Sequence, residues 1–206
     1  MSSAPVWEIA FHYPPQGEWT EADYLALDTN RLVELSEGFL EFPLMPTVLH
    51  QLIVAYVYDL LNAFVRAHVE GRVFFAPLPV RLWAGKYREP DILYVRPERI
   101  GNLRGQPYGA DLAMEVVSDS EEDRKRDLII KREEYARAGI REYWIIDPQQ
   151  QSITVLVLDG EIYREHGIFA RGMQATSVLL NGFSVLVEAV FAVGQQTDVP
   201  PGNGNC

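Results

Sequence analysis

The sequence of 206 residues predicts an α/β (α+β) domain, a mixed β-sheet flanked by helices with an N-terminal β-hairpin. Three observations point there: a strand–helix–strand succession over 111–117, 121–138 and 142–146, a long helical repeat over 47–69, and strand pairs joined by glycine turns. The succession has the length of a crossover unit, so its two strands are expected to be parallel and the rest antiparallel. With 48% hydrophobic and 23% charged residues the chain suits one domain with one core, and collagen-like, fibrous or largely disordered classes are excluded.

Residues 1–19 are expected to be an N-terminal extension. Thr20-Glu21-Ala22-Asp23 reads as a capping sequence opening a short helix to about Leu27, with Asp where Glu or Gln is usual. Leu32-Val33-Glu34-Leu35 and Phe39-Leu40-Glu41-Phe42 form a hairpin across Ser36-Glu37-Gly38, whose glycine can take a positive φ. Over 47–69, Leu49, Ile53, Tyr56, Leu60, Phe64 and Ala67 recur at helical spacing, and Gly71 is the stop. Residues 72–83 read as strands interrupted by Pro77 and Pro79, 84–89 as a turn, and 90–95 as a strand.

The apolar strand 111–117 ends at Ser118-Asp119-Ser120, and a charged helix over 121–138 stops at Gly139. Strand 142–146 then ends in a Pro148 turn, and 152–158 with 161–165 form a hairpin across Asp159-Gly160. The domain is expected to span 20–193, leaving 194–206 as a loose, polar tail rich in Pro and Gly.

Eighteen Lys plus Arg stand against 29 Asp plus Glu, a formal net charge of −11, which counts against a nonspecific coater of DNA. A metal enzyme is compatible with it, because a divalent cation neutralises both carboxylates and phosphate. The single cysteine, Cys206, excludes a disulfide framework and fits a reducing cytoplasm. Residues 1–15 lack a signal-peptide pattern, and apolar stretches fall short of the ~18 residues of a membrane span.

Two acids stand on otherwise apolar strands, Asp91 at the start of one and Glu115 inside the other. A buried carboxylate must be paired, protonated or bound to a cation. Asp after Pro is a common turn residue, and one Glu on a strand often faces water or pairs with an arginine such as Arg126. Together, at neighbouring strand ends, the two would offer oxygen ligands suited to Mg2+ or Mn2+, with the Val116 carbonyl close by.

Asp123, Asp127, Lys131 and Tyr135 are spaced four apart and share a helix face, a pattern that ordinary surface pairing also explains. His12, His50, His68 and His166 show no metal-ligand spacing, and neither a serine-hydrolase elbow nor a phosphate loop is present. Tyr135, Tyr143 and Trp144 are expected in the core. Arg81, Lys86, Arg88, Arg96, Arg99 and Arg104 are candidate phosphate contacts that a solvated loop would explain equally well.

The segments Glu89-Pro90-Asp91-Ile92, Met114-Glu115-Val116-Val117-Ser118-Asp119-Ser120, 127–131 and 135–148 resemble the Uma-two family of endonucleases. That family is a branch of the PD-(D/E)xK superfamily with the restriction-endonuclease-like fold. The resemblance runs over 32–191 and takes in Glu34-Leu35, His50 at the head of the long helix, and a short helix near 187–191. It implies hydrolysis of DNA dependent on Mg2+ or Mn2+, with Asp91, Glu115 and the Val116 carbonyl as metal ligands. Glu34 would be a further acid, holding a second metal or acting as base.

Val117 stands where the superfamily has its lysine, and the resemblance implies that Lys131 replaces it from the following helix, with Asp127 one turn earlier. Asp119 stands where Pro is usual and Phe39 where Glu is common. His50 is the histidine expected beside the site. Cutting two strands with one site per chain favours a homodimer. Two rivals remain: a catalytically inactive binding or interaction module on the same fold, and a carboxylate-pair hydrolase of other substrates, active in EDTA.

Overall fold

The computed structural model describes residues 13–29, 31–118 and 120–195. The expected extension up to residue 12, including His12, the tail from 196, and Asp119 lie outside the described residues. Helix α1 is Glu21–Leu25, two residues shorter than expected, and its capping box forms with Asp: the Thr20 hydroxyl accepts from the Asp23 N–H, and Asp23 accepts from the Thr20 N–H. The hairpin is β1 (Glu34–Ser36) and β2 (Phe39–Glu41), turned at Glu37 and Gly38, both at positive φ.

Helix α2 (Val48–His68) starts at Thr47, whose hydroxyl accepts from the His50 N–H at 3.2 Å. Its buried ridge is Ile53, Val54, Val57, Leu61 and Val65. The expected stripe is therefore rotated. Tyr56, Leu60 and Phe64 pack at its margin, Phe64 against Phe183, while Leu49 and Ala67 are exposed. The aliphatic ridge packs in one cluster with Tyr94, Met114 and Trp144 of the sheet, and Phe64 turns to the C-terminal segment at Phe183. By length and composition α2 could span a bilayer, unlike the expectation from apolar runs; here its ridge packs on the sheet.

Strands β3 (Arg72–Phe75) and β4 (Val80–Trp83) follow. The turn expected at 84–89 is instead strand β5 (Lys86–Arg88), every residue of it buried. Then come β6 (Ile92–Val95), the short helix α3 (Pro97–Ile100) and β7 (Leu112–Val116). The single helix expected over 121–138 is three pieces: α4 (Glu121–Lys125), a π-helical turn Arg126–Ile130, and α5 (Lys131–Arg137). The chain continues through β8 (Glu142–Asp147), β9 (Ser152–Asp159) and β10 (Ile162–Ala170), which is longer than expected. A small pair, β11 (Gln174–Thr176) and β12 (Ser184–Leu186), precedes α6 (Val187–Ala192).

The main sheet has six strands in the order β10-β9-β8-β7-β6-β3, in which β7 and β8 are parallel and the other neighbours antiparallel. A second sheet, β2-β1-β5-β4, carries the hairpin. Side chains alternate across β7. Leu112, Met114 and Val116 join the α2 face with Trp144 and Ile146, whereas Ala113 joins the opposite core with Tyr135, Ile140 and Tyr143. Full burial of each large apolar side chain contributes roughly 1.5–3 kcal/mol. Glu115 shares the side of Ala113 and so points toward α5.

Candidate functional site

Strand pairing brings the two acids together. Ile92 lies opposite Met114 in the antiparallel β6–β7 register, so Asp91, one residue before, stands opposite Glu115, one residue after. The Asp91 Oδ2 accepts the Val116 N–H at 2.7 Å and faces the His50 Nε2 at 3.2 Å. His50 stands in the first turn of α2, three residues after its cap Thr47. This contact with Asp91 raises the His50 imidazole above its ordinary pKa although burial opposes it.

Lys131 arrives from the π-helical turn, where its N–H bonds the Arg126 carbonyl five residues back. The turn inverts the usual helix pattern: Asp127 and Lys131 are buried, while Ile129 and Ile130 are exposed. Tyr143 secures it from β8 by donating its hydroxyl to the Asp127 carbonyl at 2.9 Å. The Lys131 Nζ lies 2.9 Å from Glu115 Oε1, 3.2 Å from Asp127 Oδ1 and 3.8 Å from Glu34 Oε1. Burial opposes its charge, yet these three carboxylates hold the ammonium above its ordinary pKa.

Burial and the neighbouring Asp91 and Asp127 push the Glu115 carboxyl up to about 8, although Lys131 pulls it down. Burial likewise raises Asp127. Glu34 behaves oppositely. Burial would raise it, but Lys131, Arg88 and the Glu89 N–H hold it at about 2. Arg88 lies 2.7 Å from Glu34, pairs with Glu41, and makes a two-pronged contact to Glu134 at 2.6 and 2.9 Å.

All the residues singled out in the sequence, Asp91, Glu115, Lys131, Glu34, Asp127 and His50, line one cleft of about 210 Å³ together with Val116. Pattern reading did not assign the Tyr135 hydroxyl, which donates to Glu115 Oε1 at 2.6 Å, although Tyr135 sits four residues after Lys131 on the same face. Nor did it find the burial of Arg88 and Lys86. The expectation that those two cations face phosphate or solvent is corrected: both are sunk in β5, with Lys86 on Glu134 and Ser36. Arg81 is tied to Glu21, and Arg99 stands 3.5 Å from Asp111. Tyr143 and Trp144 are core residues, as expected.

The donor chemistry fits a hard divalent ion. Two carboxylates stand opposite each other on adjacent strands with Val116 lining the same cleft, and the raised Glu115 is a buried carboxyl that Lys131 does not fully compensate. No group of three His, Cys, Asp or Glu side chains among the described residues is placed to hold a metal. Two carboxylates with a main-chain carbonyl and water is the pattern Mg2+ commonly accepts.

Acids at two adjoining strand ends, with a lysine delivered from the next helix, give this α/β fold the layout of a restriction-endonuclease-like nuclease domain. The Uma2 family model, described as "Putative restriction endonuclease", matches residues 21–189, and the chain belongs to that family. Among solved structures it is similar to "a putative nuclease belonging to DUF820" from Anabaena variabilis ATCC 29413, with a TM-score of 0.67 and 20% identity, covering 85% of this chain and 98% of that one. At that identity the likeness speaks for the fold. No curated protein matches the chain.

Proposed function

We propose that this chain is an endonuclease that hydrolyses DNA phosphodiester bonds with Mg2+ or Mn2+, held by Asp91, Glu115 and the Val116 carbonyl. The observation that carries this reading is the convergence of Asp91, Glu115 and Lys131 in one cleft whose carboxylates outnumber its cations. When bound, such a metal polarises a phosphoryl oxygen and acidifies its water. Lys131, fixed by Glu115 and Asp127, would present positive charge to the negative charge that develops on the phosphoryl oxygens. His50 holds the Asp91 carboxylate in orientation. Glu34, held at about 2, stays ionised near neutrality and anchors Lys131.

The reading extends to a homodimer, one site per strand of a duplex cut, working in the cytoplasm. Asp91→Ala and Glu115→Gln are expected to lower Mg2+-dependent cleavage of plasmid DNA by on the order of 10³-fold with an unchanged circular dichroism spectrum. Undiminished cleavage in either variant overturns the assignment of ligands. If calorimetry finds neither Mg2+ nor Mn2+ bound at millimolar concentration, the chain is a binding module on a nuclease fold.

A further inference from the structure

We infer that the cavity beside the acidic cleft is a nucleobase pocket, so that the site acts where a base next to the scissile phosphate is unpaired. This rests on the nuclease reading above. The second cavity measures about 420 Å³, within the range of small-ligand sites, and shares Leu32, Met45, Pro46, His50, Glu89 and Asp91 with the cleft. Tyr24, Leu27, Pro77 and Pro79 add apolar walls suited to the face of a base. A phosphate seated at Asp91 and Glu115 places its flanking nucleosides at this shared boundary.

Two buried polar atoms of its lining lack a hydrogen-bond partner, His50 Nδ1 and Glu89 Oε2. Glu89 Oε2 is buried with no hydrogen-bond partner, while Oε1 takes only a long 3.4 Å contact from the Tyr24 hydroxyl, whose shorter bond goes to the Val33 carbonyl at 2.7 Å. A buried orphan oxygen has lost its water without replacement, a penalty that a ligand donor would relieve. Burial and the neighbouring Glu34 raise the Glu89 carboxyl to about 7, and above that pH the carboxylate recognises an exocyclic amine, as on cytosine or adenine, which thymine lacks.

The supply of cations argues the same way. Lys131 and Arg126 are the Lys and Arg of the cleft lining, and both stand beside its carboxylates: Lys131 on three of them, Arg126 3.8 Å from Asp127. Arg124, just outside, makes a two-pronged contact with Asp147. Arg31, exposed at the edge of the second cavity, is the one arginine of that lining, so binding by release of phosphate counterions is limited here. The mouth is instead apolar: Leu44 is 61% and Met45 71% exposed. An intact B-form duplex shows phosphates and base edges, and gives such a surface little to cover; an apolar wedge acts on a base step that has opened.

The test is fluorescence anisotropy in Ca2+ with labelled oligo-dC, oligo-dT and a mixed-sequence duplex, alongside cleavage of the same probes in Mg2+. Oligo-dC is expected to bind at least tenfold more tightly than the duplex or oligo-dT. Glu89→Gln should shrink the dC over dT preference to less than threefold, and Met45→Ser should weaken oligo-dC about tenfold. Equal binding of the three probes, or an unaltered preference in Glu89→Gln, overturns the pocket while Mg2+-dependent cleavage keeps the nuclease reading. Selective binding without cleavage of any probe does the reverse, and the loss of both removes both. A dimer that Met45→Ser converts to monomer with oligo-dC binding unchanged assigns the loop to a second copy and overturns the wedge.

Discussion

Glu34 and Glu115 are both buried glutamates on strands, both within 4 Å of the same lysine, and their carboxyls diverge from about 2 to about 8. Burial penalises each. The difference lies in the company: Glu34 has Arg88 at 2.7 Å and a backbone N–H from Glu89, whereas Glu115 faces Asp91 and Asp127 with Lys131 shared among them. Glu34 is met by two cations and a backbone N–H, whereas Glu115 shares a single ammonium with Asp127. The better-compensated half ties the hairpin sheet to α5 through Arg88 and Glu134, and the other keeps a carboxyl raised to about 8.

Removing Arg88 breaks that contrast most severely. Arg88→Met leaves Glu34, Glu41 and Glu134 without their shared cation and is expected to cost about 3–5 kcal/mol, as loss of one partner from a buried ion pair does. Urea unfolding measures it. Loss below 1 kcal/mol would place the stability of the second sheet in its apolar cluster of Trp19, Leu35 and Tyr87.

Acid sharpens the comparison. Glu34 falls from 4.5 unfolded to about 2 folded, so its contribution is complete above pH 4.5 and is lost as pH falls through 4.5 toward 2. The loss amounts to about 3 kcal/mol. Glu34→Gln lacks this dependence, so the stability gap between wild type and variant should narrow between pH 5 and pH 3. A gap that stays constant would mean that Glu34 is not held down by Lys131 and Arg88.

On the Glu115 side the effects are smaller and appear in metal binding. His50→Ala frees the Asp91 carboxylate from its imidazole partner and should weaken Mg2+ by about 10–100-fold in a calorimetric titration, the usual cost of losing a group that orients a ligand. An unchanged affinity would leave Asp91 oriented by the Val116 N–H alone.

Much of this site is legible in the sequence, and for a definite reason. Asp91 and Glu115 break apolar strands, a signal that survives without knowing what surrounds them. The parallel pairing of β7 with β8 followed from the length of the connection between them. Strand β5 was hidden because Lys86 and Arg88 read as solvent-facing, and only their carboxylate partners, from 46 or more residues away in the chain, make them buried. The π-helical turn is equally hidden: a four-residue spacing of Asp127, Lys131 and Tyr135 suits an ordinary helix, and the bond that Tyr143 sends from β8 to the Asp127 carbonyl is announced by no local spacing. Local pattern located the acids, and long-range pairing decided which acid stays ionised.

The gentlest perturbation acts at a distance from both halves. Thr47 caps α2 through the His50 N–H, and its replacement by Ala should cost about 1 kcal/mol, the ordinary value of an N-cap. If the cap also sets where His50 stands, Thr47→Ala will lower Mg2+ affinity in the same direction as His50→Ala and by less, and the double variant will be no weaker than His50→Ala alone. No loss of Mg2+ affinity in Thr47→Ala would mean that the first turn of α2 holds its place without the hydroxyl, by the packing of Ile53 and Val54 below His50, and additive losses would mean that Thr47 acts on the site by a route other than His50.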